Sequence, residues 1–92
     1  MNNTVTQSTI DKLLAGATIS CTTVFDKCTI VAVQLKNGFV LVESSACVDK
    51  ANYNQELGEQ ICLDRIKSKL WELEGYALQK SLYEVTQCQE LK

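Results

Sequence analysis

Leu35-Lys36-Asn37-Gly38-Phe39 constrains what this 92-residue chain can fold into more than any other stretch. Asn-Gly tolerates positive φ at two successive residues, which a two-residue type I′ turn requires. Residues 28–35 and 39–43 flank it with β-branched and apolar side chains, so the turn folds them together as a hairpin. A two-residue loop sets Leu35 opposite Val40, Val33 opposite Val42 and Val31 opposite Ser44. Neighbouring side chains alternate across a sheet. These positions therefore share a nearly pure aliphatic face, the expected core. The other face carries Lys36, Phe39, Gln34, Leu41, Ala32 and Glu43. Phe39 and Leu41 are then apolar groups with no evident cover.

The remaining elements follow from capping and periodicity. Ser8 can cap a short helix whose Asp11 returns the bond, whose stripe is Ile10, Leu13 and Leu14, and which Gly16 ends. Residues 17–25 are rich in Thr, Ile, Val and Cys and read as a first strand, with a turn at Asp26-Lys27. After residues 44–49 leave the sheet, Asp49 and then Asn52 or Asn54 offer caps. A long helix runs from about 54 to 74. Cys62, Leu63, Ile66, Leu70, Leu73 and Ala77 fall on one arc of it, suited to packing on the sheet. Leu57, Ile61, Trp71 and Leu78 fall on another. Lys80 and Glu84 spoil the first arc just after Gly75, which predicts a break there and a second helical piece from 76 to 87 with Leu78, Leu82 and Val85 on its apolar face. Gly58, inside the helix, predicts a close approach to another backbone, the sheet being the better candidate. The expectation is one α+β domain over 8–87: short helix, three-stranded antiparallel meander, long helix on one sheet face, broken C-terminal helix. Residues 1–7 form a flexible N-terminus and 88–92 a frayed tail.

Composition narrows the function. A chain 46% hydrophobic and 22% charged, with net charge −2, is globular and not a general nucleic-acid binder. No stretch reaches the roughly 18 apolar residues of a membrane span. The first residues lack the charged and apolar regions of a signal peptide, so a cytosolic product is expected. Five cysteines without a C-x-x-C pair, and no histidine, read as small buried thiols rather than a zinc site. No phosphate loop or cofactor motif is present, and no metal or cofactor is expected.

Catalysis finds little support. Without histidine, a Ser or Cys nucleophile lacks its usual base. Cys47, upstream of a helix start, is the best nucleophile candidate; the plainer reading is a packed thiol. Glu72 and Glu74 point to different sides of the helix and do not form an acid–base pair. Trp71, Tyr76, Phe39 and Tyr53 are candidates for a recognition surface, since aromatics anchor interfaces; the plainer reading is satellite core.

The series Leu35-Lys36-Asn37-Gly38-Phe39, Glu43, Ser45-Ala46-Cys47-Val48-Asp49, Ala51-Asn52-Tyr53, Gly58 and Trp71-x-Leu73-Glu74-Gly75-Tyr76-x-Leu78 resembles the gene-49/gene-66 family of small tailed-bacteriophage proteins. The resemblance covers residues 6–82. Lys50 stands where that family usually has proline, and Tyr53-Asn54 where it has phenylalanine followed by aspartate. The resemblance implies a protein made in the cytoplasm of an infected bacterium, and it carries no established activity. By analogy with small non-structural phage proteins, it points to host takeover or anti-defence.

The leading expectation is a non-enzymatic accessory protein that binds and modulates a host protein. One alternative is a sequestering protein for a small nucleotide signal at an oligomer interface, using residues 44–54. A weaker one is a thiol enzyme using Cys47. Candidate binding residues are Ser45, Cys47, Asp49, Asn52, Tyr53, Trp71, Glu74 and Tyr76. A homodimer or higher oligomer is expected because a thin core leaves apolar surface over. Its interface would lie on Leu57, Ile61, Trp71 and Leu78, or on the outer sheet face with Phe39 and Leu41.

Overall fold

In the computed structural model of the chain, residues 4–90 are described, with side chains to residue 87. Of the two expected ends, 1–3 and 91–92 lie outside these residues; within them Val5 packs against the core, Thr6 and Gln7 open the first helix, and the last helix runs on to Glu90. The element order is α1 (Gln7–Ala15), β1 (Thr18–Val24), β2 (Cys28–Gln34), β3 (Val40–Ala46), a 3-10 turn (Lys50–Asn52) and α2 (Gln55–Glu90). The strands form an antiparallel sheet in the order β1-β2-β3, and α2 packs across β2 and β3. The α+β architecture is the expected one.

α1 starts earlier than expected. Thr6 is its cap: the side-chain oxygen accepts the Thr9 N–H at 3.3 Å. Ser8 lies inside the first turn, and Asp11 accepts from Gln7 Nε2 at 2.9 Å instead of closing a capping box. Gly16 ends the helix as expected. Ile10 is fully buried, and Leu13 and Leu14 pack against the core.

The central hairpin corrects the expected register by one residue. Val33 pairs with Leu41, Val31 with Glu43 and Gln34 with Val40. The loop has three residues, not two. Gly38 N–H donates to Leu35 O, and Leu35 N–H to Phe39 O, both at 2.9 Å. Gly38 is the one loop residue at positive φ, +94°. This is the three-residue alternative, a type I turn closed by a glycine bulge. Asn37 assists by accepting the Phe39 N–H on its side-chain oxygen at 3.0 Å. Two successive positive φ angles do occur, at Phe25 and Asp26 (55° and 58°). The first turn is thus centred on Phe25-Asp26, one residue before the expected Asp26-Lys27.

The extra loop residue leaves β2 as expected and reverses β3. Val31, Val33 and Leu35 are buried, and Gln34 is exposed. On β3, Leu41 is the buried residue, while Val40 and Val42 are each 52% exposed on the outer face. Glu43 also turns toward α2, where it is half-buried and paired with Lys69. That partner offsets the cost of turning a carboxylate toward the core. Phe39 and Leu41 therefore lie on the helix side of the sheet, not on an uncovered outer face.

α2 is one continuous helix, not two. Gly75 costs helix stability but keeps its N–H, so nothing forces a break. Cys62, Ile66 and Leu70 pack on the sheet with at most 1% exposure. Each fully buried aliphatic side chain contributes about 1.5–3 kcal/mol. The expected stripe stops there: Leu73 is 42% exposed, and Ala77 is exposed. Gly58 does approach the sheet closely, but what it meets is the Thr29 side chain and not a backbone. A Cβ there would overlap the Thr29 hydroxyl and lie 2.9 Å from Thr29 Cβ.

Two substitutions test these contacts. Gly58→Ala improves helix propensity by about 1 kcal/mol, but overpacking against fully buried Thr29 costs about 1–3 kcal/mol. A lower melting temperature is expected; a higher one would remove the close approach. Gly38→Val is expected to destabilise by more than about 1 kcal/mol, because a β-branched residue resists positive φ. Open space surrounds Gly38, so denaturant unfolding reads that backbone strain without a packing contribution.

Candidate functional site

The segment after β3 is tied down residue by residue. Cys47 N–H donates to Lys27 O at 3.0 Å. Asp49 caps the 3-10 turn by accepting the Ala51 N–H at 2.9 Å. Asn54 then caps α2, its Oδ1 accepting the Leu57 N–H at 3.1 Å. Between the two caps, Tyr53 is extended and reaches under the sheet. Its hydroxyl lies 2.6 Å from Thr29 Oγ1 and 2.9 Å from Thr23 Oγ1. Three hydroxyls thus share one network, and it supplies the partner that fully buried Thr29 requires.

This anchoring leaves a cavity of about 140 Å³ between the end of β3 and the first turns of α2. Ser45, Cys47, Asn52 and Tyr53 line it, over Leu57 and Ile61. Hydroxyl and amide groups over an apolar floor suit a small polar ligand. The single S–H of Cys47 has two carbonyls in reach as acceptors, those of Asp49 (3.3 Å) and Lys27 (3.6 Å). Two other thiols are shifted upward. Partial desolvation raises Cys21, although it lies exposed on the edge strand, and the Glu59 carboxylate reinforces the shift. Burial also raises Cys62, partly offset by Arg65. Both shifts favour the thiol over the nucleophilic thiolate.

A second concavity, about 600 Å³, opens where α2 passes the end of the sheet. Phe39, Leu41, Leu73 and Tyr76 form its apolar wall, and Lys69 and Glu72 its charged rim. Phe39 is 51% and Tyr76 68% exposed. A third, about 570 Å³, lies between α1 and the hairpin loop, where Glu74 shares the lining with Lys12 and Lys36.

The candidate residues therefore separate into distinct places. Ser45, Cys47, Asn52 and Tyr53 come together, with Asp49 beside them as a cap. Tyr76 joins Phe39 and Leu41 in the groove. Glu74 faces α1. Trp71, 38% exposed, lines none of the three. Lys69, Glu72 and Leu73 are groove residues that the sequence reading did not select. Their signal was a length mismatch: a seven-residue strand spans about 23 Å, which about 15 helical residues already cover. The sheet-facing stripe had to emerge near Leu73. Among the described residues, no group of three His, Cys, Asp or Glu side chains is placed to hold a metal ion. No described helix is long and apolar enough to cross a membrane.

No curated protein and no solved structure matches the chain. One family model does, the phage protein (N4 Gp49/phage Sf6 gene 66) family, over residues 5–82. With that match spanning most of its length, from the cap of α1 through the groove, the chain belongs to the N4 Gp49/Sf6 gene 66 family of phage proteins.

Proposed function

We propose that this phage protein works without catalysis, binding a host protein in the cytoplasm of the infected cell and altering its activity. The observation that supports this is the Phe39-Leu73-Tyr76 groove. It is aromatic and aliphatic at its centre and charged at its rim, the composition of a recognition patch. Half-exposed Phe39 and more exposed Tyr76 contribute nothing comparable to the core. Lys69 is already paired with Glu43, so Glu72 leaves the rim a net negative charge, which orients a partner more than it tightens one.

The cavity beside Tyr53 favours a second reading, sequestration of a small nucleotide signal. At about 140 Å³ it falls below the roughly 300 Å³ at which ligand sites begin. A nucleotide would therefore need a second subunit to complete the site. Leu57 and Ile61, on its floor, lie on the arc expected to meet such a subunit.

Purification from infected host cells separates the two. A host polypeptide held in fixed stoichiometry supports the first reading; an ultraviolet-absorbing compound released on denaturation supports the second. For the first, Tyr76→Ala is expected to weaken the purified complex at least about tenfold, or 1.4 kcal/mol, at unchanged melting temperature. Equal affinity for the variant would remove the groove from the interface.

A further inference from the structure

α2 outlasts the sheet it packs on. Its 36 residues extend for about 54 Å, and the chain measures 65 × 23 × 19 Å. Among the described residues, none of α2 beyond Leu70 is buried. Past that point the two sides of the helix diverge. The line of Cys62, Ile66 and Leu70, which faced the sheet, continues through exposed Leu73 and Ala77 and then turns polar at Lys80 and Glu84, as expected of a surface facing water. The opposite side does not turn polar. It carries Trp71, Gly75, Leu78, Leu82 and Val85, whose spacing alternates four and three, the core repeat of a coiled coil.

Surface area gives independent support. A compact 10.2 kDa monomer exposes about 5,300 Å², whereas this chain exposes 6600 Å². The excess, roughly 1,300 Å², exceeds the approximately 800 Å² that one partner contributes to a standard interface. The radius of gyration, 17.5 Å, compares with about 12 Å for a compact domain of this length. An amphipathic helix of some 15 residues is also marginal in water unless something covers its apolar face.

Gly75 adds a local observation. A Cβ there would meet nothing within 4 Å, so no contact inside the chain accounts for this unfavourable mid-helix glycine. Beside Trp71 in the seam, it leaves a hole able to receive a side chain from another helix. The positions flanking the seam are Glu72 and Glu74 at its Trp71 end and Gln79, Ser81 and Thr86 beyond. From Leu78 onward the flanks are neutral, so over that stretch two identical seams meet without like-charge repulsion.

We propose that the far face of α2 is a self-association surface, on which a second copy of this chain lays its own Trp71-Gly75-Leu78-Leu82-Val85 seam, giving a homodimer with both sheets turned outward. The groove with Phe39 and Tyr76 is not part of this seam, so the two proposals fail separately.

Light scattering of the purified chain at micromolar concentration is expected to give twice the 10.2 kDa monomer mass. Gly75→Lys, which raises helix propensity and whose Cβ meets nothing within 4 Å, is expected to raise the dissociation constant at least about tenfold by placing a charge in the seam. Leu78→Glu/Leu82→Glu is expected to give the monomer mass. In both variants, fully buried Cys62 should stay protected from a thiol reagent, showing that the domain is still folded. A wild-type mass of 10.2 kDa, or a dimer equally tight in folded Gly75→Lys, overturns the proposal.

Discussion

The contact between Gly58 and Thr29 sets the position of everything else. Thr29 is the buried polar residue of the central strand, and α2 crosses it where its own side chain is missing. The Thr29 hydroxyl is held by Tyr53, and Tyr53 immediately precedes the α2 cap at Asn54. One crossing point thus fixes the start of α2, the path of the connecting segment and the strand under the helix. From there Cys62, Ile66 and Leu70 follow at one-turn intervals down the sheet. Arg65 and Lys69 then hold β3 from the side, through Ser44 O at 2.7 Å and the Glu43 carboxylate.

With α2 committed to β2 and β3, β1 is left as an overhanging edge. Ile19, on its helix side, is 45% exposed, and Cys21 and Thr23 are exposed as well. Much of this strand is Thr and Ser, side chains that tolerate water on both faces and so suit an edge. The core is correspondingly thin. Among the described residues eight hydrophobic side chains are buried, so each of the Thr29, Ile66 and Leu70 contacts matters more than it would in a larger domain.

The elements were legible because they rest on local chemistry. Asp49 and Asn54 cap where their side chains can reach a free N–H, and Gly16 stops α1. Gly58 announced a close approach because a mid-helix glycine is otherwise unfavourable. The register was not legible, because Asn-Gly fits both a two-residue turn and the glycine position of a three-residue one. The evidence that decides between them is non-local. Burying Leu41 also turns Glu43 toward α2, which is tolerable because Lys69, far away in sequence, is there to meet it. The break at Gly75 failed for a different reason: periodicity shows where an apolar face ends, not where a helix ends. Of the candidate site residues, Ser45, Cys47, Asn52 and Tyr53 were found together because they are neighbours in sequence. The groove draws on the hairpin loop and the middle of α2, and only the length of the sheet relative to the helix connects them.

That single loop residue also decides whether the groove exists. In a two-residue loop Phe39 and Leu41 point away from α2, and the helix passes the sheet end over Val40 and Val42, with no aromatic wall. With three residues, β3 turns over. Leu41 enters the core, and Phe39, next along the same side, lies just past the last covered turn of α2. Leu73 and Tyr76 emerge at that height because the sheet has run out beneath them. The groove is thus a product of two lengths, one extra residue in a turn and a helix longer than its sheet. It needs no dedicated loop or insertion, and that is how a chain of 92 residues presents an aromatic groove while its core, among the described residues, remains eight hydrophobic side chains.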